Sequence, residues 1–290
     1  MIQSMTGYGK ADCEICGKKI TIEIKSLNSK QLDLSTRILN NFKEKEIEIR
    51  NEILRRVVRG KVDLSIYYDA SVKENVLQFN VSVFENYLNQ LNESAAQLNI
   101  APPTDPWSLL LKLPDVFKSD NQEITEEDWI KVHEALGEAI DHLIEFRNQE
   151  GKMLASVFDK KLTNIERLLE EVKLYETERI DNIKSRITDS LEKLGSVEYD
   201  KNRFEQEMIY YIEKLDVNEE KARLANHCKY FRETMKEDQP QGKKLGFITQ
   251  EIGREINTLG SKSNHTEMQK IVVCMKDELE QMKEQVLNVL

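Results

Sequence analysis

Apolar side chains recur along this chain at two spacings, and the change from one to the other divides it. Ile20, Ile22 and Ile24 alternate with polar neighbours, the period of a half-buried strand. Met1 to Cys16 precedes them across Gly17, so the two stretches predict a hairpin. Gly7 and Gly9 near its start suit a bulge. Leu32, Leu34 and Thr36 alternate with Gln31, Asp33 and Ser35 and predict a third strand, and Val62 to Ala70 predicts a fourth. Between them, Phe42 to Val58 takes helical spacing, offering Phe42, Ile49, Ile53, Leu54 and Val57 to a core, with Gly60 as the stop. Val81 to Leu98 predicts another helix, and the prolines between Asn99 and Pro106 end it. Trp107 to Phe117 is a short apolar stretch able to dock on either half.

From Thr125 the spacing is helical almost throughout. Thr125 precedes Glu126, Glu127 and Asp128, an N-cap with acids in the first turn, and predicts one helix from about Glu126 to Tyr175. Ile180 to Leu194 predicts the next, closed by Gly195. Glu205 and Glu207 open a further helix, and Asp216 to Asn218 caps the one after it. Leu245, Ile248, Ile252, Ile256 and Leu259 then fall on one stripe and predict an amphipathic helix over Gly242–Lys262. The fold class expected is α+β: a small antiparallel-sheet domain with helices, then a long-helix, mostly α region. Three segments follow: an α+β domain over 1–124, a long helical hairpin over 125–200, and a helical domain over 201–290. A long charged hairpin cannot bury its own apolar stripe, so a second copy of the chain is its expected partner.

Composition agrees, since charged residues make up 32% of the chain and few glycines or prolines interrupt it, as long exposed helices require. No run approaches a membrane span and the first residues lack the features of a signal peptide, so a cytoplasmic protein is expected. The net charge of −10 excludes a protein coated in positive charge. The basic excess lies in the first sixty residues and the acid in the rest, a distribution that suits polyanion contacts at the front and carboxylate chemistry behind. Well-solvated acidic helices would leave the same imbalance. Cys13 and Cys16 form a CxxC without a second pair, which reads as two small residues at a hairpin tip, because zinc needs four ligands. Neither GxGxxG nor GxxxxGK[ST] occurs, so nothing announces nucleotide chemistry.

Two clusters carry candidate chemistry. Beside the stripe of Gly242–Lys262, Glu251, Glu255, Thr258 and Lys262 are spaced four, three and four apart and share one flank, with Arg254 next to them and Asn257 and Ser261 further round. Two carboxylates, a hydroxyl and a cation can hold a metal or a phosphate; they can equally be a salt-bridged surface. Glu220, Arg223 and His227 share a face of the preceding helix, where carboxylate and guanidinium would tune the histidine.

Longer stretches carry a resemblance. SMTGYGK (Ser4 to Lys10), EIKSLNSKQLD (Glu23 to Asp33), RGKVD (Arg59 to Asp63) and RNQEGKML (Arg147 to Leu154) resemble segments of the YicC/YloC family. So do NRFEQEMIYYIEKLDVNEEKARLANH (Asn202 to His227) and GKKLGFITQEIGREINTLGSKS (Gly242 to Ser263), in the same order. Gly246 stands where the family usually has Asp, and Lys30 where Arg is common. The resemblance implies a divalent-metal-dependent endoribonuclease, acting as a ring-like hexamer in small-RNA or messenger-RNA turnover, with other RNA-decay enzymes as further partners.

On that reading the ion is Mn²⁺ or Mg²⁺, which prefer hard oxygen ligands. Its ligands are sought among Glu207, Glu219, Glu251 and Glu255. The catalytic set is sought among Glu205, Glu220, Arg223, His227, Glu251, Arg254, Glu255 and Lys262, with His227 as acid or base and the cations facing the phosphate. Asn257, Thr258 and Ser261 supply phosphate or supporting hydrogen bonds. RNA is gripped by Lys25, Asn28, Lys30, Arg37, Arg55, Arg56, Arg59 and Lys61. Tyr8 is a further base or sugar contact. A non-catalytic adaptor that presents RNA to another ribonuclease would use the same basic patch, and a purely structural helical oligomer would use none of it.

Overall fold

The computed structural model describes residues 2–290 except 16, 30, 70–78, 102, 104, 112, 114, 115, 117–124, 194–200 and 239. Strands β1 (Gly7–Ile15) and β2 (Lys18–Leu27) form the expected hairpin, with Gly17 at φ 72° in its tip. Only glycine reaches that left-handed conformation without a Cβ penalty. β2 pairs antiparallel with β4 (Gly60–Tyr68), and β4 pairs parallel with β3 (Leu32–Arg37), giving the order β1-β2-β4-β3. The antiparallel arrangement thus holds for three strands. The fourth is parallel because helix α1 (Glu46–Arg56), entered through a 3-10 turn over Asn40–Lys45, returns the chain to the start of β4.

Ile20, Ile22 and Ile24 are fully buried, as the alternation requires, and share a core with Val62, Leu64 and Ile66. Phe42, Ile49, Ile53 and Val57 join it, but Leu54 is 53% exposed, because its position on α1 turns it away from the sheet. Gly60 does not stop α1, which ends at Arg56; it opens β4. Helix α2 (Val81–Gln97) packs on α3 (Pro106–Leu110), where the rings of Phe84 and Trp107 stack at 4.5 Å. The apolar stretch at Trp107 therefore docks on α2.

Helix α4 (Glu126–Lys173) starts where Thr125 Oγ1 accepts a hydrogen bond from the Asp128 N–H at 3.2 Å. Its first half lays Val132, Leu136, Ala139, Ile140 and Leu143 on the sheet. Its second half lays Phe158, Leu162, Ile165, Leu169 and Val172 against α7 (Asn218–Thr234), α8 (Gly242–Lys262) and α9 (Thr266–Val286). The apolar stripe of α4 is covered inside the chain, so it gives no argument for a second copy. β1 pairs residue for residue from Gly7 to Ile15, with no bulge. Its glycines serve a different end: a Cβ on Gly9 would lie 2.0 Å from the Ala139 carbonyl oxygen, so glycine lets β1 press against α4. Helix α5 (Glu176–Lys193) leaves α4 at the Leu174–Tyr175 turn and does not lie back along it, and α6 (Lys201–Lys214) follows. The expected stop at Gly195 falls outside the described residues.

The two cores are stitched together. Met5 N–H donates to the Asn288 carbonyl at 2.8 Å, Leu290 N–H to Gln3 at 2.9 Å, and Gly242 N–H to Leu290 at 2.9 Å. Buried Arg147 of α4 donates to the carbonyls of Met5 (3.2 Å) and Arg59 (2.9 Å) and to Ser26 Oγ. Burial lowers its pKa to about 10, which leaves it charged at neutral pH. The arginine of RNQEGKML is thus a structural tie between α4, the strands and the N-terminal segment.

Candidate functional site

Helices α7 and α8 run antiparallel, and the stripe expected for α8 is the one it buries: Leu245, Ile248, Ile252, Ile256 and Leu259 are all in the core. Each such burial contributes roughly 1.5–3 kcal/mol before entropy is counted, enough to fix the rotation of α8 and so the direction of its polar flank. At the end of that flank Lys262 Nζ donates to Glu220 Oε1 at 2.8 Å and to the Asp216 carbonyl at 2.9 Å. The predicted flanks of the two helices therefore do meet. Asp216 lies just before α7, where its Oδ1 accepts from the Asn218 N–H at 3.3 Å.

Glu220 is 6% exposed, and its Oε2 is buried without a hydrogen bond among the described residues. Around this junction stand Lys221, paired with Glu176, and Arg179, which is buried and donates to the Lys262 carbonyl at 3.4 Å. Burial lowers the Arg179 pKa, with Glu176 and Asp216 opposing that shift. Sequence reasoning missed Arg179, Lys221 and Glu176. The signal was present for Arg179, which occupies a position of the apolar row of α5, four residues before the buried Ile183.

Seven residues back along α8 from Lys262, and seven forward along α7 from Glu220, stand Glu255 and His227. In an antiparallel pair these positions fall at one level, about 10 Å from the Lys262–Glu220 contact. Glu255 is 6% exposed and makes no hydrogen bond or ion pair among the described residues; His227 is half-buried and likewise unengaged. One turn before Glu255, Glu251 pairs with Arg254 at 3.0 Å in a largely exposed contact. Glu219 pairs with Arg223 in the same way on α7. The hydroxyls of Thr258 and Ser261 turn back onto the carbonyls of Arg254 and Thr258, and Asn257 is exposed. Glu205 and Glu207 are exposed on α6. Among the described residues no three His, Cys, Asp or Glu side chains come close enough to hold one ion.

The basic set divides similarly. Arg56 bonds to the Gly137 carbonyl and to Asp141, Arg59 to the Ser29 carbonyl at 2.9 Å, and Asn28 to the Leu287 carbonyl at 2.7 Å; all three hold structure. Lys25, Arg37 and Lys61 stand on the outer face of the sheet, open to solvent. Arg55 is exposed beside Glu52, and Lys30 lies outside the described residues. On the same outer face the hydroxyls of Tyr8 and Tyr67 both donate to Glu23 Oε1, at 3.2 and 2.8 Å, which pushes the Tyr67 pKa up to about 12. Cys13 is a half-buried free thiol, and Cys16 lies outside the described residues.

The outer sheet face interleaves Lys25, Arg37 and Lys61 with Glu23, Asp33 and Asp63, and the helical bundle holds Glu220 with one buried oxygen unpaired among the described residues. Together they define an α+β class of protein, a small sheet domain tied to a helical bundle. The endoribonuclease YicC-like N-terminal region matches residues 2–156 and the corresponding C-terminal domain residues 169–290, so the chain belongs to the YicC-like family. It is 30% identical over 295 residues to a probable endoribonuclease YicC of Clostridioides difficile (strain 630), with 100% of both chains covered. It is 28% identical over 292 residues to the protein of that name in Haemophilus influenzae, with 99% of each covered.

Proposed function

We propose that this chain is an endoribonuclease that cuts RNA phosphodiester bonds along the flank shared by α7 and α8. The observation that carries the reading is Glu255, a carboxylate 6% exposed with no partner in its own chain among the described residues. Neither of its oxygens is among the fully buried ones, so the carboxylate stays within reach of a ligand. A divalent cation and its substrate phosphate would supply the missing partner, and the names of the two relatives support RNA as the phosphate's source.

The donor set fits such an ion. Glu251 and Glu255 are neighbours one turn apart and offer hard oxygens, and Mg²⁺ needs only one or two carboxylates besides water and phosphate. Glu220 is separated from them by two turns and neutralised by Lys262, so it stands outside this pair. An ion held there would supply Lewis acidity, polarising the phosphate and acidifying a water or the 2′-hydroxyl. His227, level with Glu255, holds or moves the proton. Exposed Arg223 and Arg254 contact phosphoryl oxygens and hold the backbone in place, and Lys262, paired with Glu220, fixes the end of the flank. Assembly as a ring-like hexamer, Mn²⁺ as the physiological ion, and a place in small-RNA or messenger-RNA turnover rest on the family resemblance. No helix among the described residues is long and apolar enough to cross a membrane, and action on cytoplasmic RNA is part of the proposal.

The test is cleavage of a defined single-stranded RNA with and without Mn²⁺. Wild type cuts only with the metal, and Glu255→Gln cuts on the order of a hundredfold more slowly while melting at the same temperature. Glu251→Gln loses less, because its carboxylate is solvated. Wild-type rates from both variants remove these two residues from the mechanism. Tight RNA binding by wild type without any cutting makes the chain an adaptor.

A further inference from the structure

Helix α6 shows solvent a line of side chains that its own packing does not use. Glu207, Tyr210, Tyr211 and Lys214 are spaced three, one and three apart, so they are neighbours on one helical face. Tyr210 is 57% and Tyr211 44% exposed, while the other side of α6 buries Met208 and half-buries Phe204 and Ile212. The two rings stand 6.0 Å apart at 72°, and Lys214 Nζ lies 5.9 Å from the centre of the Tyr210 ring. Neither hydroxyl makes a hydrogen bond among the described residues. The rings lie one turn before the end of α6 and five and six residues before Asp216, whose carbonyl accepts from Lys262 at the end of the α7–α8 flank.

We propose that Tyr210 and Tyr211 form a stacking corner for an unpaired base of single-stranded RNA entering that flank. The proposal rests on the endoribonuclease reading and adds to it the strandedness of the substrate and the residues that sense it. Two rings set edge to face offer one base a flat surface and a wall, and every base has a face to lay on it. Lys214 reaches the neighbouring phosphate, and Glu207, one turn earlier, accepts a hydrogen bond from a ribose 2′-hydroxyl, which DNA lacks. A second copy of the chain fits this face less well. Protein interfaces exclude Glu and Lys from their centres, whereas here the rings sit between Glu207, Glu213 and Lys214.

The probe is a short single-stranded RNA carrying one 2-aminopurine, mixed with the full chain in EDTA so that metal-dependent cutting cannot intervene. Wild type quenches the probe, and a duplex of the same sequence is not quenched. Tyr210→Ala/Tyr211→Ala abolishes quenching and binds about tenfold more weakly, since stacking carries that order of affinity. The conservative pair Tyr210→Phe/Tyr211→Phe keeps both, because the ring and not the hydroxyl does the work. Wild-type quenching and affinity in the alanine pair overturn the proposal, and so does a change of its sedimentation coefficient, which makes the face a protein contact. Cleavage by wild type with Mn²⁺ is scored separately: cutting with an inert tyrosine pair sinks the corner alone. Quenching without cutting sinks the nuclease reading alone.

Discussion

Gly9 and Glu255 show how one side chain, absent or present, decides what a neighbouring element can do. A Cβ on Gly9 would sit 2.0 Å from Ala139 O and 2.7 Å from Leu143 N, both backbone atoms of α4 that cannot turn aside. Gly9→Ala must therefore push β1 off the helix, and overpacking of this kind costs about 1–3 kcal/mol. For a chain of this size that corresponds to a melting temperature lower by roughly 2–10 °C. An unchanged melt would mean that β1 is free to shift. Gly17→Ala is the matched comparison: nothing lies within 4 Å of its Cβ, so only backbone strain at φ 72° is added. Glu255 is the opposite case, a side chain only 6% exposed whose carboxylate finds no partner among the described residues. Its spacing from Glu251 was legible in the sequence. Its burial was not, because that depends on how far α7 leans over the flank of α8.

At the scale of elements, periodicity carried most of the information, and for a physical reason. α8 buries the five residues that its spacing singled out, and α4 begins at the Thr125 cap, because both elements are held by burial of one face. Parallel pairing of β3, the dual use of α4 and the docking of α3 on α2 depend on partners remote in sequence, which no local pattern reports. The basic residues divide on the same principle. Arg56, Arg59 and Asn28 looked alike in charge or polarity to those around them, yet they are tied to backbone carbonyls. Arg37 and Lys61 have no ion pair among the described residues, and the strand register puts both on the outer sheet face. If that face follows an RNA backbone, Arg37→Gln/Lys61→Gln weakens binding alike for all sequences, and the slope of affinity against salt falls by about two phosphate contacts. A salt slope equal to wild type would show that the sheet face does not carry the backbone.

For the whole molecule, the question is whether the sheet domain and the helical bundle stand or fall together. α4 lies in both cores as one uninterrupted helix, so melting either half removes the apolar surface that stabilises the other half of the same helix. The stitches between residues 3–5 and 288–290 add a second link, from the segment before β1 to the segment after α9. Arg147 adds a third, since its guanidinium is buried among carbonyls of Met5 and Arg59 and loses all of them if the strands leave. A buried cation stripped of its acceptors is worse than one exposed to water, so partial opening at this point is disfavoured. The expected result in scanning calorimetry is one transition that includes the sheet and the α4, α7, α8 and α9 bundle, followed in parallel by circular dichroism and by the fluorescence of Trp129 in the sheet core. Arg147→Met, which keeps the volume but removes the donors, is expected to lower that transition and to split it, with the Trp129 signal moving first. A wild-type melt already resolved into two steps would mean that the long helix transmits no stability between the cores, and that the α7–α8 flank could survive loss of the sheet.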